Sequence, residues 1–117
     1  MRTLATQVKL RRLIRAFGEA HSRLGSEPLG PRVAGSVVSR LLELSADVRD
    51  SWSRELPAGP LERYVRESLR TIDFAIAGLG QTGADLELLQ SDFEVAALPL
   101  EVFLRGLDAE PALQRSA

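Results

Sequence analysis

His21 is the only histidine in a chain of 117 residues. Imidazole is the side chain best suited to move protons or accept a phosphoryl group near neutral pH. One histidine cannot build a four-helix di-iron site, which needs two Glu-x-x-His pairs. A Ser-His-Asp mechanism would have to use His21, and no Gly-x-Ser-x-Gly turn lies nearby to expose a nucleophile. The chain has no cysteine, which excludes disulfides and thiolate metal sites. It has neither the Gly-x-x-x-x-Gly-Lys-Ser/Thr loop that wraps phosphates nor a dinucleotide-binding glycine pattern after a strand. Acid pairs such as Glu62/Glu67 and Asp92/Glu94 read as solvated helix faces. These residues predict no enzyme, no cofactor and no metal.

The second chemically suggestive stretch is QVKLRRLIRAFGEAH, residues 7–21, which carries Lys9, Arg11, Arg12 and Arg15 before any acid. These four are the candidates for contact with phosphate, since arginine forks match phosphate oxygens. At about 100° per residue, however, Arg11, Arg12 and Arg15 fall opposite Leu10, Leu13, Ile14 and Phe17, on the side a folded helix gives to water. The isoelectric point near 5.8 also weighs against a nucleic-acid partner, because such domains are usually basic. Charge is polarised along the chain. Residues 1–32 hold seven Arg/Lys against two Glu, and residues 76–117 hold two Arg against seven acids. The predicted first and last helices therefore attract one another.

Four helical segments must position these residues. The first runs from about Thr6 to Leu24, with Leu10, Leu13, Ile14, Phe17, Ala20, His21 and Leu24 on one face. Gly25 reads as the residue past its end, and Pro28 bars continuation. The second starts at Gly30-Pro31, where proline suits a first turn, and ends near Leu56-Pro57. Its stripe is Val33, Val37, Leu41, Leu44, Val48 and Trp52. The third starts at Gly59-Pro60 and closes at Gly80, with Leu61, Tyr64, Val65, Leu69, Ile72, Ala75, Ile76 and Leu79 inward. The fourth starts at Thr82, with Asp85 completing a capping box. It continues through Leu86, Leu89, Phe93, Ala96, Leu100, Phe103, Leu104 and Leu107. Pro99 inside it predicts a kink or break near Ala97–Leu98.

No useful stretch alternates with the period of a strand. Short links between long helices favour antiparallel neighbours. The expected fold is all-α, an antiparallel up-down-up-down four-helix bundle over residues 1–107. Residues 108–117 form a frayed or disordered tail.

Several apolar residues do not fit a lone bundle. Leu4 and Val8 lie among the arginines. Phe74 projects opposite the third helix's stripe, beside Arg63, Glu67 and Arg70. Leu88, Val95 and Val102 repeat every seven residues on the side of the fourth helix away from its core stripe. A helix apolar on two sides is either central or in contact with another chain. Leu88, Val95, Val102, Phe74, Leu4 and Val8 are therefore the expected partner surface, and a homo-oligomer is the leading form of it.

Two resemblances add to this. AHSRLGSEPLG, Ala20 to Gly30, resembles the motif of histidine phosphotransfer domains, which are four-helix bundles of this size. His21, Gly25 and Ser26 match its exposed His, Gly and Ser, while Arg23-Leu24 stands where the family has Leu-Lys. The resemblance implies His21 as phospho-acceptor; the helical pattern instead puts His21 on the core side. PLGPRVAGSVVSRLLEL and LERYVRESLRTIDFAIAGL are similar to segments of the four-helix proteins encoded in ribosomal-RNA intervening sequences. They are similar also to the accessory variability proteins of diversity-generating retroelements. That resemblance covers about residues 8–107 and implies a ring-forming, non-enzymatic bundle that engages nucleic acid or a reverse transcriptase.

With 44% apolar and 26% charged residues the composition is that of a globular protein. The longest central uncharged run, Phe74 onward, is broken by Asp85, too short to span a bilayer. Lys9 to Arg15 interrupt any signal-peptide core. The expectation is a cytoplasmic, non-catalytic helical subunit that self-associates or docks into a larger protein or nucleoprotein complex.

Overall fold

The computed structural model describes residues 4–26, 30–56 and 58–116, with side chains as far as Leu107. It contains four helices: α1 (Ala5–Ser26), α2 (Pro31–Glu55), α3 (Glu62–Gly78) and α4 (Leu86–Ser116). No strand occurs among the described residues. Each helix packs on the next in sequence, and α1 packs on α4, so the four close into a ring around one core.

The 3.6-residue stripes build that core. Leu10, Leu13 and Phe17 of α1 are fully buried, as are Val48 of α2, Ile72 and Ile76 of α3 and Ala97 and Leu104 of α4. Phe17 stacks on Phe93 across the centre, with ring centroids 3.9 Å apart. Toward the end of the bundle where α1 begins, Trp52 stacks on Phe103 at 6.0 Å. Where α3 meets α4 the backbones come close. A Cβ on Gly78 would lie 2.6 Å from Leu89 Cδ2, so the absence of a side chain at 78 admits Leu89.

Several boundaries differ from the sequence expectation. Helix α1 continues through Gly25 to Ser26, whose hydroxyl donates to the Ser22 carbonyl at 2.9 Å. This serves a terminal carbonyl that glycine was expected to release. Pro28 and Pro57 lie outside the described residues. Helix α4 begins at Leu86, not Thr82, because Asp85 itself caps it, accepting from the Leu88 amide at 3.2 Å. Gly83, at φ 74°, makes the preceding turn. Val33, Leu61 and Tyr64, predicted inward, are exposed because the first turns of α2 and α3 overhang the core.

Helix α4 is continuous through Pro99, which corrects the expected break. Pro99 is on the exposed side of α4. The Val95 carbonyl it leaves without an amide therefore meets water rather than a dry core, which lowers the cost. The helical backbone runs on to Ser116, past Asp108, where the sequence predicts fraying.

The start of α1 is held from another helix. It has no acid in its first turn. Instead Glu55, at the end of α2, accepts from the Ala5 amide at 3.0 Å, from the Thr6 amide at 2.6 Å and from the Thr6 hydroxyl. Free amides at a helix start carry partial positive charge, so a carboxylate belongs there. Desolvation works to raise the Glu55 pKa, but the Thr6 and Ala5 hydrogen bonds and the Lys9 charge outweigh it and lower the pKa. A lowered carboxyl pKa contributes stability above the ordinary carboxylate range that disappears as pH falls through the shifted value. Glu55→Gln is therefore expected to cost about 1 kcal/mol near neutral pH, with the difference from wild type vanishing in acid. Urea unfolding at neutral and acid pH measures both.

Candidate functional site

The outward side of α4 is built from a seven-residue repeat. Glu87-Leu88, Glu94-Val95 and Glu101-Val102 recur in register, so each apolar member falls on one line and each acid on the next. The opposite side of the same helix carries Phe93, Ala96, Ala97, Leu100 and Leu104 into the core. Leu88, Val95 and Val102 are 56%, 71% and 63% exposed. Leu98 lies beside them and is also exposed. On α3, Phe74 is 73% exposed, the most open of the large apolar side chains. It lies one turn from Gly78, the residue of α3 that meets Leu89 of α4.

Of the predicted partner surface, Leu88, Val95, Val102, Phe74 and Val8 are on the outside. Leu4 is not: it packs partly buried against the core, because its carbonyl accepts from the Gln7 and Val8 amides and folds residue 4 under the first turn of α1.

The predicted phosphate-contacting residues are dispersed. The Lys9 ammonium donates to Ser51 on α2 at 2.6 Å. Arg11 pairs with Glu101 of α4 at 3.6 Å. Arg12 and Arg15 are exposed and make no ion pair among the described residues. Half of the basic run is thus engaged in holding α1 to its two neighbours.

His21 is partly buried, and its Nε2 donates to the Leu86 carbonyl at 2.9 Å. A carbonyl only accepts, so this nitrogen carries the proton. The bond ties the end of α1 to the first residue of α4. Leu86 lies too far along the chain for a local pattern to reveal it as a neighbour of His21.

A cleft of about 660 Å³, which the sequence pattern did not indicate, opens between the end of α2, the start of α3 and α4. Trp52, Leu56, Val65, Leu69, Phe103 and Leu107 make it apolar. Two arginines reach its rim, and both are already held by acids: Arg49 by Asp73 at 2.7 Å and Arg66 by Glu62 at 2.9 Å. It offers a volume for apolar groups, and the hydroxyl on its lining, Ser53, donates to the Arg49 carbonyl at 3.1 Å. Among the described residues no helix is long and apolar enough to cross a membrane, and no cluster of three or more His, Asp or Glu is placed to hold a metal ion.

Comparison with protein-family models, with curated proteins and with solved structures finds no match for this chain.

Proposed function

We propose that this protein is a non-catalytic helical-bundle subunit, working in the cytoplasm, that self-associates through the outer side of α4. The observation that carries the reading is the ordered row Leu88, Val95 and Val102, all more than half exposed, on a helix whose opposite side already fills the core. Apolar side chains scattered singly over a surface need no explanation. A row at constant spacing is different, because it offers another helix a continuous seam.

The bundle that presents it is antiparallel, up-down-up-down. Supporting this, the start of α1 meets the end of α2 through Thr6 and Glu55, and its end meets the start of α4 through His21 and Leu86. Pro99 on the open side bends α4 around the core, convex to solvent.

Light scattering on the wild type and on Val95→Asp tests the proposal. The wild type is expected at a multiple of 12.8 kDa and the variant at the monomer mass with its helix content intact. A wild type that stays monomeric at high concentration would overturn the reading.

A further inference from the structure

The side of the bundle formed by α3 and α4 has an order across it that specifies its occupant. At one margin stands Arg70 of α3, exposed and without an ion pair among the described residues. Next comes Phe74, then across the groove the row Leu88, Val95 and Val102, and at the far margin Glu94 of α4. Glu94 has only Gln90 as a partner, at 2.6 Å. The strip is thus basic, apolar, apolar, acidic. Asp92 is exposed on α4 and adds to that helix's negative charge. Glu67, also near the groove, is already neutralised by Arg63 at 3.3 Å.

A strip with opposite ends of opposite charge is complementary to itself when rotated by half a turn about an axis along the helices. That rotation places the α3 margin of one copy over the α4 margin of the other. The contact of Gly78 with Leu89 sets the relative heights of the two helices. Counting from it along antiparallel neighbours, Phe74 and Val95 come within about 3 Å of the same height, and Arg70 and Glu94 within about 5 Å. Rotation about the helix direction leaves heights unchanged. The two-fold perpendicular to the helices would instead lay α4 over α4, setting Glu94 over the acidic side of the second copy's α4, which like charges oppose.

We propose, resting on the association reading above, that the α3–α4 side pairs with a second copy about a two-fold axis parallel to the helices. Phe74 of each copy packs on Val95 of the other, and Arg70 of each pairs with Glu94 of the other. Being isologous, every contact occurs twice.

Sedimentation velocity on charge-reversed chains tests the pairing. Wild type is expected at twice 12.8 kDa, with its dissociation constant rising about tenfold or more on going to high salt. Arg70→Glu alone and Glu94→Lys alone are expected to sediment as monomers, and an equimolar mixture of the two to recover a one-to-one dimer. Circular dichroism of each variant shows that it remains folded, as expected of substitutions at exposed positions. A mixture that stays monomeric would overturn the pairing. So would a wild-type assembly that Val95→Asp dissolves but neither charge reversal affects, which leaves the association surface standing and removes only this geometry. A monomeric wild type would remove both.

Discussion

Phe17→Ala is expected to lower the stability of the fold by about 3–5 kcal/mol, more than any other single truncation considered. Phe17 is fully buried and stacked on Phe93 at 3.9 Å, so its removal opens a void between α1 and α4 and strips one face of the second ring. Buried aromatic pairs also contribute about 0.5–1.5 kcal/mol beyond their area. A domain of this size has roughly 5–15 kcal/mol in total. The variant should therefore unfold at much lower temperature, by about 15 °C if each kcal/mol is worth about 4 °C. Thermal and urea denaturation check this. Phe74→Ala is the internal contrast: it removes the same side chain from a position 73% exposed and should leave the isolated bundle's stability nearly unchanged while weakening its association. A loss of stability for Phe74→Ala comparable to that of Phe17→Ala would mean that the two sides of the bundle have been misjudged.

Asp73→Ala is expected to cost about 2 kcal/mol, within the range for leaving a buried hydroxyl without its partner. Ser45 is fully buried, and its hydroxyl donates to Asp73 Oδ1 at 2.6 Å. Arg49 donates to the other oxygen at 2.7 Å. One carboxylate thus serves two groups of α2 from α3, and its removal leaves the buried Ser45 hydroxyl without its acceptor. Asp73→Asn keeps an acceptor for Ser45 and weakens only the exposed ion pair, so it should cost about 1 kcal/mol or less. Equal losses for Asn and Ala would place the stabilisation in the charge rather than in the satisfied hydroxyl.

The residues that could be read from sequence are those whose partners are set by helical period. Leu10, Leu13 and Phe17, or Val65, Leu69, Ile72 and Ile76, declare a buried side because only one face of a helix can collect them. The same wheel placed Phe74, Leu88, Val95 and Val102 outward, where they lie. What local pattern could not supply is every contact made across the chain. Glu55 looks like an ordinary end-of-helix acid, yet it caps a helix start 50 residues earlier. Asp73 looks like a surface acid between Ile72 and Phe74, yet it reaches a buried serine on α2. Lys9 looks like part of a phosphate-binding run, yet its ammonium is spent on Ser51. Leu4 shows the opposite failure: it read as surface among the arginines, and one turn of backbone tucked it against the core. Asp85 caps α4 in place of Thr82 because a side chain must sit directly before the first turn to reach its third amide.

The proposed self-association covers the outer side of α4 with another chain. The chain has no cysteine, so a single Val95→Cys substitution places a unique thiol in the middle of the seam. Its rate of modification by a maleimide should fall as protein concentration rises through the association range. The rate at Asp47→Cys, on the exposed side of α2, should stay constant. Rates at position 95 that are independent of concentration and equal to those at position 47 would contradict the proposed association.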